Sequence, residues 1–292
     1  MKKFAYLSVV IGAALWGIIG LFVKELYGQG LTPIQVVAIR VITAAVILLI
    51  YILIKNPSLL IIKPLDGKYF IGTGIFSIVF FNWCFFSAIK ETSLSVATIL
   101  LYTGPAFVTV FSRIFFKELL TKRKVIALLM TFLGCAFVIG LVPNHSNSIS
   151  FPGLLLGVGS GFGYALYSIF GKFALNKYSF LTTITYTFLF ASVAIIPASH
   201  LWDAVHLLYN TKVWLYGIGL GVFPTVLAFG LYTHGLSHIE SSRASIMATI
   251  EPVVAALVGL LLFGEVLTIW QLGGILFVLA SIILVQKQPK PV

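Results

Sequence analysis

Residues 95–121, SVATILLYTGPAFVTVFSRIFFKELLT, align without a gap on residues 242–268, SRASIMATIEPVVAALVGLLLFGEVLT, at a shift of 147. Eight of the 27 positions are identical: Ser95/Ser242, Ala97/Ala244, Ile99/Ile246, Pro105/Pro252, Phe116/Phe263, Glu118/Glu265, Leu120/Leu267 and Thr121/Thr268. Chance gives about two or three identities at this composition, so the two stretches are copies of one unit. The proline and glutamate matches count for most, because both residues are uncommon in apolar segments. A weaker echo at a shift of 148 pairs Phe22 with Phe170 and Lys24 with Lys172.

The copies lie in a chain of 292 residues that is 60% hydrophobic and only 9% charged, with a mean hydropathy of +1.08. A soluble domain carries about 25% charged residues. So few ionisable groups exclude a soluble enzyme, a disordered chain and a secreted disulfide scaffold. Cys84 and Cys135 sit inside apolar runs and read as small buried hydrophobes.

Ten runs have the length of a membrane-crossing helix: 4–23, 33–54, 69–88, 93–115, 123–141, 151–171, 180–197, 213–233, 241–263 and 268–286. They are too long and too little alternating for barrel strands. The opening Met1-Lys2-Lys3 resembles a signal peptide, but without a small-residue cleavage site it reads as a retained first helix. The fold class expected is an all-α polytopic membrane protein.

Of the 19 Lys and Arg residues, fourteen fall on the side of the N-terminus, from Lys2 and Lys3 through Lys172 and Lys177 to Lys287 and Lys290. The other side holds Lys24, Lys90 and Lys212, and Arg40 and Arg113 lie within spans. The positive-inside rule therefore places both termini in the cytoplasm of a multi-pass cell-membrane protein. The net charge of +11 is orientation signal, and no nucleic-acid partner is needed to explain it.

The most polar break, Pro143 to Ser148, lies near the midpoint. It divides the chain into a first five-helix repeat (1–142), a linker on the side opposite the N-terminus (143–150) and a second five-helix repeat (151–292). Five is odd, so the second copy enters the bilayer from the other side. Ten transmembrane helices thus form two inverted five-helix repeats, the arrangement of many secondary transporters, whose solute sites lie at mid-depth between the halves.

Leu15-Trp16-Gly17, Arg40 early in span two, Gly104-Pro105 and Glu251-Pro252 in mid-span, and the endings Lys117–Thr121 and Gly264–Thr268 together resemble the drug/metabolite transporter superfamily. Within it the chain is most similar to the EamA type, over its whole length. Lys117 stands where the second ending has Gly264. The resemblance implies export of amino acids or other small metabolites, exchanged for protons or another solute.

Glu251 is the sharpest candidate, because an acidic group at mid-span costs on the order of a few kcal/mol and so faces the bundle interior. It reads as a protonation switch or a counter-charge for a substrate ammonium, against a neutral group bonded to carbonyls freed by Pro252. Arg40 suits a substrate carboxylate or a protein carboxyl, against a cation that anchors its helix at the interface. Pro105 and Pro252 are helix-break candidates. Trp16, Trp83, Tyr102, Tyr164 and Tyr167, with Asn82, are candidate cavity walls for a solute with apolar parts and a few hydrogen bonds. The cavity is expected between spans one, three, four, six, eight and nine.

Small-residue steps at Gly153, Gly157 and Gly161, and at Gly217 and Gly221, let helices approach closely within one bundle, and a monomer is expected. His200, Asp203 and His206 have a spacing that permits a metal, but their neighbours make the apolar face of a short interfacial helix, and no metal site is assigned. No phosphate-binding loop, HExxH or G-x-S-x-G motif is present. No cofactor and no enzymatic activity are expected. The rival readings are an intramembrane enzyme using Glu251 and His234, and a channel-like or structural membrane protein.

Overall fold

The computed structural model describes residues 2–140 and 150–286. Among these residues nine helical spans are long and apolar enough to cross a bilayer. They are α1 (Lys3–Gly28), α2 (Pro33–Lys55), α3 (Pro64–Glu91), α4 (Leu94–Phe116), α6 (Phe151–Leu175), α7 (Phe180–Ser199), α8 (Thr211–His238), α9 (Ser241–Phe263) and α10 (Ile269–Gln286). Between them lies α5 (Lys122–Val138), of 17 residues. Each of the ten expected runs is therefore a helix, the fifth being one residue shorter than α10. The fifth begins on Lys122-Arg123-Lys124, so part of its length is too polar for hydrocarbon. The linker expected at 143–150 lies, apart from Ser150, outside the described residues, as do Lys287 and Lys290.

Starts and stops follow local chemistry. Thr32 caps α2 in a reciprocal pair with Gln35, while Ser93, Thr121, Ser150 and Ser179 cap α4, α5, α6 and α7 by accepting a backbone N–H. Lys117 at φ +55° and Gly264 at φ +68° end α4 and α9 in the left-handed conformation. The repeat therefore keeps the turn even where its residue differs.

Packing follows the pseudo-two-fold relation between the halves. α1 packs on α8 and α9, and its counterpart α6 packs on α3 and α4. α2 packs on α7, and α5 on α10. In lipid such contacts depend on small residues. At the α5–α10 crossing a Cβ on Gly274 would lie 2.6 Å from the Gly134 carbonyl oxygen, so only glycine permits the approach. Gly153, Gly157 and Gly161 likewise face Thr92, Leu100 and Thr103 inside the bundle.

α3 and α8, which correspond across the repeat, each widen into π-helix at mid-length, over Gly72–Val79 and Val222–Leu227. In α8 Pro224 withdraws a backbone donor, and the Thr225 hydroxyl donates to the Leu220 carbonyl at 2.7 Å.

The halves meet at both ends of the α2–α7 flank. On the N-terminal side Asp66 accepts from Lys177 Nζ (2.6 Å) and Tyr178 Oη (2.7 Å), which holds the Lys177 ammonium above its usual value. On the opposite side Asn210 Nδ2 donates to Gln29 Oε1 at 2.6 Å.

Candidate functional site

α4 and α9 are interrupted within a turn of their prolines. α4 runs Leu94–Leu101, turns at Tyr102 and Thr103, and resumes as Gly104–Phe116. α9 runs Ser241–Met247, turns at Ala248 and Thr249, and resumes as Ile250–Phe263. Pro105 and Pro252 have no N–H for the preceding turn, and their rings crowd its carbonyls. The Thr103 and Thr249 hydroxyls donate to the Leu100 and Ile246 carbonyls, each at 2.6 Å. α1 has its own irregularity at Ile18, next to Gly17.

Glu251 stands in the first turn of the second half of α9, where the N-terminal end of the half-helix favours negative charge. Its carboxyl is within electrostatic reach of Arg40 on α2, Tyr102 on α4, Cys135 on α5 and Tyr164 on α6. Four candidates named from sequence therefore converge. Arg40 Nε and Trp16 Nε1 are buried and have no hydrogen-bond partner among the described residues. Buried donors left in this way are uncommon in folded proteins and mark a place where a ligand can bond.

The break in α4 holds no second carboxylate. Gly104 occupies the position equivalent to Glu251, and a Cβ there would come 2.7 Å from Tyr164 Cδ1. Trp16 and Tyr164 themselves correspond at a shift of 148. Tyr164 thus lies beside the α4 break, while Gly17, next to Trp16, lies against Glu251 at the α9 break, and only the α9 break carries charge.

Trp16 and Tyr167 belong to a second, adjoining group. Trp16 meets Phe229 at 4.9 Å and Tyr232 at 5.1 Å between ring centroids, and Tyr167 meets Phe229 at 5.1 Å. The Tyr167 and Thr233 hydroxyls share a hydrogen bond of 2.6 Å, and Tyr232 pairs with Ser168 at 2.7 Å. Phe229, Tyr232, Thr233 and Cys135 were not singled out from sequence. Phe229 and Tyr232 are spaced i, i+3, as are Tyr164 and Tyr167, and that shared stripe was the available signal.

The structure places two of the expected walls apart from these groups. Trp83 is 56% exposed, and its ring neighbour is Phe80, at 6.3 Å. Asn82 is buried, but its side-chain amide donates to the Ile78 carbonyl of its own helix at 2.7 Å. Adjacent helical residues point about 100° apart, so one of this pair had to leave the interior.

His234 lies toward the end of α8, against Phe4 and Phe180, away from this group. His200, Asp203 and His206 form no cluster of potential metal ligands among the described residues, and Leu201–Tyr209 is a short 3-10 helix.

Comparison with known proteins matches residues 3–140 and 151–286 to the EamA-like transporter family, once for each half. An uncharacterized transporter of Archaeoglobus fulgidus is 27% identical over 288 residues, covering 98% of this chain and 97% of that protein. The threonine/homoserine exporter RhtA of Salmonella typhimurium is 25% identical over 215 residues, 72% of this chain and 69% of that protein. A crystal structure with 18% identity has the same fold, with a TM-score of 0.79 over 97% of this chain and 96% of that one. Two matched halves, an all-helical membrane-spanning bundle and transporter relatives agree: the chain belongs to the EamA-like transporter family, a multi-span membrane transporter of small solutes and not an enzyme.

Proposed function

We propose that the chain exports zwitterionic metabolites, amino acids first, by alternating access of its two halves. The N-terminal side faces the cytoplasm, as its excess of Lys and Arg requires. The observation that carries the reading is the opposed pair Glu251 and Arg40, within electrostatic reach of each other beside the α9 break. An α-amino acid presents an ammonium to Glu251 and a carboxylate to Arg40, while Trp16, Tyr102, Tyr164 and Tyr167 receive its side chain. Glu251 also serves as the proton-coupling group, with proton and substrate ammonium competing for its carboxyl. The boundaries 1–142 and 151–292 mark the moving halves, and a monomer suffices. The exporter among the relatives supports amino acids as the class to try first.

Proteoliposomes test this. Radiolabelled threonine, homoserine and a wider amino-acid panel should show saturable uptake accelerated by unlabelled amino acid inside. Glu251→Gln should abolish that acceleration and flatten its dependence on pH. Flux that rises linearly with concentration and is not accelerated by unlabelled amino acid inside would overturn alternating access.

A further inference from the structure

The repeat supplies two copies of one acidic residue, and the structure uses only one of them. Glu118, just beyond α4, reaches into the other half and caps α9. Its Oε1 accepts from the Ser241 N–H at 2.7 Å, and its Oε2 accepts from the Ser242 N–H at 3.2 Å and from the Ser242 hydroxyl. The local N-cap of α9, Glu240, makes no side-chain cap of its own, so this helix end depends on Glu118. Lys124 adds its charge, at 3.6 Å from Glu118 and 3.2 Å from Glu240. The Glu118 and Lys124 side chains are only 8% and 3% exposed, and Ser241, Ser242 and Ser245 are fully buried.

Each of these residues has a counterpart at a shift of 147, and the counterparts stand apart. Glu265 corresponds to Glu118, but it is exposed and its carboxylate folds back against Gly259 of α9. Leu94 and Ser95 correspond to Ser241 and Ser242. Leu94 is 62% exposed, and the Ser95 hydroxyl donates to the Ile139 carbonyl at 3.2 Å. Thr98, the counterpart of buried Ser245, is partly exposed. The α2–α7 flank shows no such difference, because its contacts between halves are made at both ends. The asymmetry thus includes the ends of α4 and α9, the two broken helices.

We infer that Glu118 and Glu265 are positioning residues that latch opposite ends of the transporter in turn. Glu118 on the α9 N-terminus shuts the N-terminal side. When that side opens, Glu265 swings onto the α4 N-terminus and accepts from the Leu94 and Ser95 N–H groups and the Ser95 hydroxyl. A carboxylate at a helix N-terminus gains from charge-assisted hydrogen bonds and from the helix dipole, so the same chemistry serves both ends. The inference rests on the alternating-access reading above.

The test labels two equivalent positions, Ser245→Cys and Thr98→Cys, separately with a maleimide in purified protein in nanodiscs; native Cys84 and Cys135 are buried. In the parent protein Thr98→Cys should react faster than Ser245→Cys. Adding Glu118→Ala should speed Ser245→Cys about tenfold, the change that 1.4 kcal/mol of bias produces, and slow Thr98→Cys. Glu265→Ala should slow Ser245→Cys further, and it carries the test if Glu118→Ala yields no folded protein. Ser242→Trp, a wedge under the shut side, provides the comparison. If the wedge moves the two rates in opposite directions while the Glu118→Ala or Glu265→Ala rates match the parent or rise together, the latches are wrong and alternating access stands. If the wedge speeds Ser245→Cys without slowing Thr98→Cys, alternating access itself is wrong.

Discussion

Gly17 of α1 lies directly against the backbone of Glu251 on α9. A Cβ at Gly17 would stand 2.7 Å from the Glu251 carbonyl oxygen and 2.6 Å from Val254 Cβ. The helix carrying the site carboxylate is therefore seated on the helix carrying Trp16. Gly17→Ala should force the two apart at a cost of about 1–3 kcal/mol, the usual range for overpacking. The expected result is a lower melting temperature together with weaker solute binding. Parental values of both would show that this contact does not set the position of Glu251.

Arg40→Gln separates charge recognition from packing. The variant should lose transport of zwitterions while still binding amines that lack a carboxylate, because Glu251 remains. A direct competition assay against a labelled amino acid checks it. Equal loss of both solute types would mean that Arg40 holds the bundle together and does not read the carboxylate.

Trp16 and Trp83 provide a matched pair. Trp16 is 7% exposed within the aromatic group, and Trp83 is 56% exposed. Trp16→Ala should raise the KM for transport about tenfold or more, corresponding to loss of about 1.4 kcal/mol or more of solute contact. Trp83→Ala should leave KM within twofold of the parent, about 0.4 kcal/mol. Reversal of that order would put the solute on the other side of α3.

Lys117 adopts a left-handed φ of +55° where its repeat counterpart is Gly264. That conformation costs a side-chain-bearing residue on the order of 1 kcal/mol, which glycine does not incur. Lys117→Gly should therefore raise thermal stability slightly, as read by a melting curve in detergent. A fall would mean that the Lys117 side chain makes a contact worth more than the strain.

Glu240 gives a dependence on pH with a defined sign. Desolvation raises its carboxyl, but the hydrogen bond from Arg243 and the charge of Lys124 outweigh it and hold the group below its ordinary value of 4.5. A depressed carboxylate stabilises the fold fully above its unfolded value and loses that contribution as pH falls through the folded one. The difference in melting temperature between parent and Glu240→Gln should be constant near neutrality and shrink below about pH 4.5. A difference that grows on acidification would reverse the assignment.

The features written along the chain were legible in sequence. Pro105 and Pro252 break their helices because a missing N–H acts locally, and Glu118/Glu265 reveal the duplication because identity needs no coordinates. What depended on rotation about a helix axis or on the partner across a crossing was not. Asn82 and Trp83 looked equivalent until 100° separated them, and nothing along the chain told which carboxyl lies within electrostatic reach of Arg40, since Glu251 is 211 positions further on. The short α5 shows a third limit. The run read at 123–141 is the helix Lys122–Val138, and its first turn is spent on Lys122, Arg123 and Lys124.

The lone carboxylate opposite Gly104 has a thermodynamic consequence. Two conformations related by the pseudo-two-fold axis would be degenerate if every exchanged pair were identical. Glu251 against Gly104 breaks that degeneracy at the centre of the bundle, and Glu240 against Ser93 breaks it at the rim. On the alternating-access proposal, the resting population of the empty carrier is then set by sequence divergence between its halves and not by the shared backbone, so a few substitutions should invert which face it presents.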